Sequence, residues 1–247
     1  MKIALITDLH ANREAVEAVM AHAQQQGATS FAFLGDFVGY GADPAWVVDL
    51  VRERVADGAL AIQGNHDLAT VLGANEAMRP DARAVIEWTR AQLDGQQLSF
   101  LESLPLSRRH GERLFVHANA YAPAAWDYVQ NVELALRSML ATPCRYPFCG
   151  HMHQPRLFHA GSSSRAGEFL PKPGAPIALR TDRQWLMIPG SAGQPRDGNP
   201  DAAYAVFDDQ APSITYHRIA YDHDTAAGKV RAAGLPLRLA ARLQTGH

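Results

Sequence analysis

The chain has 247 residues, of which 47% are hydrophobic and 19% charged, the composition of a folded globular protein long enough to bury a sizeable core. A formal net charge of −2 supplies no global positive field to gather nucleic acid or anionic membrane, and no apolar run approaches the roughly 20 residues that span a bilayer. Its two cysteines, Cys144 and Cys149, exclude a disulfide framework and lack CxxC spacing; they read as buried free thiols in a reducing, cytoplasmic setting.

Met1 opens directly on a strand-length apolar run over 2–7, far shorter than a signal-peptide core. Helical spacing of Ala15, Val16, Val19, Met20 and Ala23 follows over 12–26, with Asn12 as N-cap and Gly27 as stop. A strand over 30–34, a helix opened by Asp43-Pro44 and running to about Ala56, and a strand over 59–63 come next. Helical patterns fill 81–93 and 96–103, and strands over 113–116 and 145–149 flank a helix over 124–140. Short β-rich runs then recur at 156–159, 177–180, 185–188, 203–207 and 214–219, as in an antiparallel sheet. The stretch 161–176, with its Ser and Pro-Gly content, reads as an exposed hairpin or loop; the last helix, 224–243, is interrupted at Gly234-Leu235-Pro236. No repeat or linker-like break divides the chain, which predicts a single domain of α/β class.

Five clusters of metal-ligating side chains fall where apolar runs end: Asp8-Leu9-His10, Gly35-Asp36, Gly64-Asn65-His66-Asp67, His117 and Gly150-His151-Met152-His153. Asp8 and His10 stand two apart, as do His151 and His153, and alternate residues of a strand share a face. Ligands of an α/β sheet bind beyond the carboxyl ends of its strands, so five stretches would converge on one pocket. Two carboxylates, one amide oxygen and four imidazoles suit a pair of divalent cations bridged by a carboxylate, the equipment for in-line attack on phosphorus. Gly35, Gly64 and Gly150 precede ligands where a tight turn or close approach to an ion is needed; ordinary loop glycine is the competing reading for each taken singly. Of the eleven histidines, His22, His110, His159, His217, His223 and His247 lack any such context. His117 has the position, after Leu114-Phe115-Val116, but no close-spaced partner.

In this order, Asp8-x-His10, Gly35-Asp36-x-x-Gly39, Gly64-Asn65-His66-Asp67, His117 and Gly150-His151-x-His153 resemble the five signature blocks of the calcineurin-like metallophosphoesterases, over roughly the first 155 residues. The runs Leu34 to Gly41 and Pro189 to Gly198 are similar to a bacterial phosphodiesterase-like branch related to diadenosine tetraphosphatases, which extends the likeness over almost the whole chain. The resemblance implies a four-layer α/β/β/α sandwich. It implies that Asp8, His10, Asp36 and His153 hold one metal, and that Asp36, Asn65, His117 and His151 hold a second, with Asp36 bridging. His66 would protonate the leaving group, and Asp67 would hydrogen-bond and orient His66. The family suggests manganese; iron, zinc or nickel also suit these donors. Ala11 and Ala118 stand where the family usually has Gly, and Met152 where Thr is frequent. Alanine does not adopt positive φ cheaply, so the departures bear on backbone geometry.

The function implied is hydrolysis of a small phosphodiester substrate, with monoesters also in scope. Arg196 is a candidate phosphate contact through its guanidinium, against the reading of an exposed loop arginine. Asn12 could touch phosphate or cap its helix, and Tyr40 could line the pocket or pack. The alternatives are a protein serine/threonine phosphatase, for which no second basic anchor is visible, and a dinucleoside polyphosphate hydrolase. A non-catalytic scaffold, like the retromer subunit of this fold, is disfavoured by the presence of His66 and all seven presumed ligands. An apolar stripe on the last helix leaves room for a homodimer contact.

Overall fold

The N-terminal apolar run forms β1 (Lys2–Ile6), after which the chain winds through α1 (Arg13–Gln25), β2 (Ser30–Phe33), α2 (Pro44–Ala56), β3 (Leu60–Ala61) and α3 (Asn65–Leu72). Then come α4 (Pro80–Ala91), α5 (Gly95–Ser103), β4 (Ser107–His110), β5 (Arg113–Val116), α6 (Val132–Leu140) and β6 (Tyr146–Phe148). The remainder is β7 (Arg156–Ala160), β8 (Ala166–Phe169), β9 (Pro176–Ala178), β10 (Gln184–Ile188), β11 (Ala202–Asp208), β12 (Ser213–Ile219), α7 (His223–Ala232) and α8 (Leu237–Thr245). This computed structural model describes residues 1–74, 78–161 and 165–247.

The strands make two six-stranded sheets, in the orders β3-β2-β1-β11-β12-β9 and β4-β5-β6-β10-β7-β8. Period-two alternation sets the layers. Ile3 and Leu5 of β1 point inward with Ala32, Ala205 and Phe207, and meet Phe115, Phe148, Trp185 and Met187 of the second sheet. Ala4 and Ile6 point the other way, into a cluster with Val16 and Val19 of α1 and Val47 and Val51 of α2. On the far face, Ala135 and Met139 of α6 cover Val116, Phe158 and Leu186. The result is the α/β/β/α sandwich. Both sheets are buried on both faces near their centres, so the central strands are apolar throughout.

Several boundaries differ from the sequence reading, each for a local reason. The β-rich runs of the second half pair antiparallel as expected, β7 with β10 and β11 with β12, but they are divided between the two sheets instead of forming one. β11, β12 and β9 extend the first sheet, with Ile3 opposite Phe207 in an antiparallel pair with β1, while β5, β6 and β10 run parallel in the second. The helix expected over 124–140 starts only at Val132. A short 3-10 turn at Pro123–Ala125 ends at Trp126, whose φ of 58° breaks the helical path, and the Asn131 side chain caps the true start through the Leu134 amide. β4 carries no apolar signal because it is an exposed edge strand, Ser-Arg-Arg-His, charged as edges commonly are. The stretch read as an exposed hairpin or loop over 161–176 contains β8, which pairs antiparallel with β7 as the hairpin alternative requires; residues 162–164 of that stretch lie outside the described residues.

The carboxy-terminal break falls where expected: Gly234 adopts φ 70° and Pro236 precedes α8. The apolar stripe of α8, Leu239, Ala240 and Leu243, packs against Ala226, Ala227 and Val230 of α7 and Val85 of α4. That stripe is therefore covered within the chain. No helix among the described residues is long and apolar enough to cross a membrane.

Candidate metal centre

The strand ends deliver five segments to one place. Asp8 and His10 follow β1, Asp36 follows β2, Asn65 follows β3, His117 follows β5, and His151 and His153 follow β6. The two-apart pairs do not meet through strand alternation, because both lie past their strands in left-handed backbone: φ is 54° at Asp8, 46° at His10, 66° at His151 and 58° at His153. Asp36, Ala11 and Tyr40 are left-handed too, so seven of the eight non-glycine residues with positive φ among the described residues cluster here. Such conformations cost free energy and persist only where surrounding structure imposes them. The imposing structure is a lattice of loop hydrogen bonds: the amides of Asp8, His10 and Ala11 donate to Gly35, Asp36 and Phe37 at 3.0, 2.9 and 2.8 Å, and Gly150 donates to the His117 carbonyl at 2.8 Å. Gly64 is required by close approach, since a Cβ there would overlap the Asp36 amide nitrogen and Oδ1.

Side chains converge in two overlapping sets. Asp8, His10, Asp36 and His153 each offer a ligand atom, all within 4.8 Å of one another; so do Asp36, His117 and His151, and all of these are buried. Asn65 joins the second set, its Oδ1 3.2 Å from His117 Nε2. Asp36 belongs to both, with Oδ2 3.8 Å from His10 Nε2 and 3.3 Å from His117 Nε2. Backbone carbonyls choose the tautomers. Because a carbonyl only accepts, Nδ1 of His10, His117 and His153 must donate to Val38, Leu34 and Gln194, at 3.1, 2.6 and 2.6 Å. Their Nε2 atoms are thereby turned inward.

Two observations test whether cations fit. Nε2 of His10 and of His153 lie 3.1 Å apart, both lone-pair atoms once Nδ1 carries the proton, and two acceptors at that distance repel. Asp8 Oδ1 is buried with no hydrogen-bond partner, although Oδ2 accepts from Thr7 Oγ1 and the His151 amide. An orphaned carboxylate oxygen beside facing lone pairs is a place that divalent metal resolves.

A family model described as the calcineurin-like phosphoesterase superfamily domain matches residues 1–211. The chain belongs to this superfamily. It is 35% identical to an uncharacterized protein of Methanocaldococcus jannaschii, over 99% of this chain and 98% of that one. It is likewise 35% identical to a metallophosphoesterase from Sphaerobacter thermophilus of known crystal structure, with a TM-score of 0.89 and coverage of 100% and 99%. A hypothetical protein from Pyrococcus horikoshii OT3 shares the fold at 16% identity, with a TM-score of 0.77 and coverage of 100% and 98%.

As in other calcineurin-like phosphoesterases, His and Asp residues are positioned to bind metal ions, and their electrostatics follow from crowding. Burial acts against the charge of Asp36, yet the imidazoles of His117 and His66 hold its carboxyl well below the usual range. Burial also opposes protonation of His117, but the adjoining Asp36 outweighs it and lifts the ring to about 9. His151, buried and next to that cationic ring, is pushed down to about 4, and burial likewise drives His10 well below its usual value.

The remaining sequence-predicted residues divide. His66 is half-buried at the rim, its ring 4.4 Å from Tyr40 and 5.1 Å from His10, so Tyr40 does line the site. Arg196 reaches the same rim, with its guanidinium 5.6 Å from the Tyr40 ring. Asn12 does not face the pocket: Oδ1 accepts from Ala15, and Nδ2 donates to the Gly193 carbonyl and Tyr221 hydroxyl, at 3.2, 2.8 and 3.1 Å. Nor does Asp67 orient His66. Its oxygens accept from the amides of Asp36, Phe37 and Gly64 at 2.9, 2.8 and 2.9 Å, pinning two ligand loops together, and no hydrogen bond joins it to His66 among the described residues. Burial and the neighbouring Asp36 push the Asp67 carboxyl up to about 7.

Sequence reasoning missed Tyr128, whose ring stacks on His151 at 4.1 Å and 13°, and Trp126, 5.9 Å from His117. Assigning that segment to a helix hid them; Pro123 and the Asn131 cap were the available signals.

Metal binding should release a proton. His117 is protonated below about 9 without metal, and a cation on Nε2 must displace that proton, whereas His10 and His151 are already neutral near pH 7. Apparent Mn²⁺ affinity in calorimetric titrations should therefore rise by about tenfold per pH unit between pH 6.5 and 8.5. A pH-independent affinity would contradict the pairing. For Asp67→Asn, urea denaturation should show a loss of about 1–3 kcal/mol, because an amide donor replaces a buried acceptor. Unchanged stability with a selective fall in kcat would restore a role through His66.

Proposed function

We propose that the chain is a phosphodiester hydrolase dependent on two divalent metals, acting on a small phosphoester substrate and also on monoesters. The observation that carries this reading is the carboxylate of Asp36, common to both ligand sets. In this reading Asp8, His10, Asp36 and His153 hold one cation, and Asp36, Asn65, His117 and His151 the other, with manganese as the preferred metal. Bound there, the two cations would lower the pKa of a shared water and neutralise phosphoryl charge.

The side chains supply the rest. The inward Nε2 atoms and carboxylates would hold the cations at fixed places, and a phosphoryl group positioned there would meet a lower entropic barrier. His66, half-buried and not used as a ligand, stands where it can donate a proton to the leaving oxygen, an effect of about 10²–10⁴-fold. Burial lowers its pKa, which makes the protonated ring a stronger acid and a less populated one near pH 7. Arg196, tethered through its amide to the His153 carbonyl, can meet a non-bridging phosphoryl oxygen. The net charge of −2 favours a small substrate over nucleic acid, and the two free, buried cysteines agree with a cytoplasmic setting.

Two variants test the reading. His66→Ala should retain its metal while kcat on a diester with a poor leaving group falls about 10²–10⁴-fold. A diester with a 4-nitrophenolate leaving group, which needs little protonation, should be affected much less. Asp36→Asn should lose both metal content and activity. A wild-type protein that binds Mn²⁺ but turns over neither bis(4-nitrophenyl) phosphate nor an aryl monoester would defeat the proposal.

A further inference from the structure

A pocket of about 260 Å³ opens beside the metal centre, on the side marked by His66. One wall is Tyr40 and His66; the floor is Val85, Ile86 and Leu239, and the mouth carries Arg79, Arg238 and Arg242 with Asp81. Tyr40, His66 and α4 lie within the residues that the superfamily model matches, whereas α8, which supplies Arg238, Leu239 and Arg242, lies wholly beyond them.

Its charge is unbalanced. Among the described residues, three guanidiniums against one carboxylate leave a net +2 at the mouth, and that carboxylate, Asp81, is engaged by Arg238 at 2.9 Å. Arg242 is half-buried and has no carboxylate partner among the described residues. Burial and the neighbouring Arg196 and Arg238 depress its pKa, the signature of a cation held among like charges. Nearby, Arg196 Nε is buried without a hydrogen-bond partner. Folding alone gives no reason to gather these cations at the open end of an apolar cleft. An anion of the ligand does.

We propose that this pocket receives the leaving group of the substrate, and that this group carries a second anionic substituent. The inference rests on the hydrolase reading and on His66 marking the leaving side. The apolar floor and the Tyr40 ring would take the body of the leaving group, and Arg242 with Arg238 its carboxylate or phosphate. Specificity then arises from α8 rather than from the metal ligands.

The test compares bis(4-nitrophenyl) phosphate with bis(4-carboxyphenyl) phosphate, using Mn²⁺-loaded wild type, Arg242→Gln and Arg238→Gln/Arg242→Gln. The ratio of kcat/KM for the carboxylated over the nitro diester should fall about tenfold in the single variant and further in the double. An unchanged ratio overturns the proposal. The melting temperature of Arg242→Gln should be kept or raised, because a like charge is removed; a fall of several degrees would mark the residue as structural and also count against it. A binding arm is independent of turnover. By calorimetry, the metal-free wild type should bind 4-hydroxybenzoate more tightly than phenol, and the variants should lose that preference. No preference in the wild type refutes the pocket. Preference with no turnover of either diester would refute the hydrolase reading and leave the anion site standing.

Discussion

The rest of the structure depends on holding together groups that repel. Nε2 of His10 and of His153 face each other at 3.1 Å, and the carboxylates of Asp8 and Asp36 are buried beside them. None of these contacts would form in a chain free to relax, because buried like atoms without a proton or ion between them are unfavourable. Each group is instead committed from behind. Val38, Gln194 and Leu34 fix three imidazoles through Nδ1, while Thr7 and the His151 amide hold one oxygen of Asp8 and the His66 amide one oxygen of Asp36. The sandwich core provides the rigidity that these commitments need. Its two sheets place β1, β2, β5 and β6 with their carboxyl ends at one edge, and the interlocking Phe115, Phe148 and Phe207 keep the sheets from sliding.

Asp67 shows how the loops are kept in register. It has the same residue type and nearly the same position as a ligand, yet its carboxylate accepts amides from the β2 and β3 loops and binds them to each other. Without that clamp, Asp36 and Asn65 would ride on independent loops. Tyr40 performs a second coupling: its ring touches His10 and His66 on one side and packs on the α7–α8 cluster on the other. The carboxy-terminal helices are therefore in contact with the site through one aromatic residue, which gives α8 a route to influence what binds there.

The metal-ligating residues were readable because donor chemistry is written in residue type, and their recurrence at the ends of apolar runs survives any error in element boundaries. The layers were readable from alternation in β1 and from helical spacing in α1. What could not be read is whatever depends on which way a side chain turns. Asn12 and Asp67 are polar, adjacent to ligands and buried, and only the hydrogen-bond map reveals that both serve the backbone. The same holds for sheet membership: β11 and β12 look like part of a separate antiparallel unit until β11 is seen to pair with β1. Trp126 and Tyr128 were obscured by a helical pattern that the Asn131 cap cuts short. Arg238 and Arg242 sit on an amphipathic helix, where charges on the polar face carry no signal of what they border.

The departures from glycine illustrate how such a backbone tolerates variation. Ala11 is buried with φ 51°, a conformation that costs an L-residue about 1–2 kcal/mol relative to glycine. Two terms act in the opposite direction. The buried methyl contributes about 0.8 kcal/mol of transfer free energy, and glycine would bring about 0.5–1 kcal/mol more conformational entropy to the unfolded chain. The sums nearly cancel, so alanine and glycine are close to equivalent at position 11. The neighbouring constraint is not symmetrical: Gly41 packs directly on the Ala11 carbonyl, and any Cβ there would collide with it. Ala118 needs no such balance, since its φ is not positive. At this bend the strict requirement for glycine therefore lies at residue 41, which approaches the bend, and not at residue 11, which makes it.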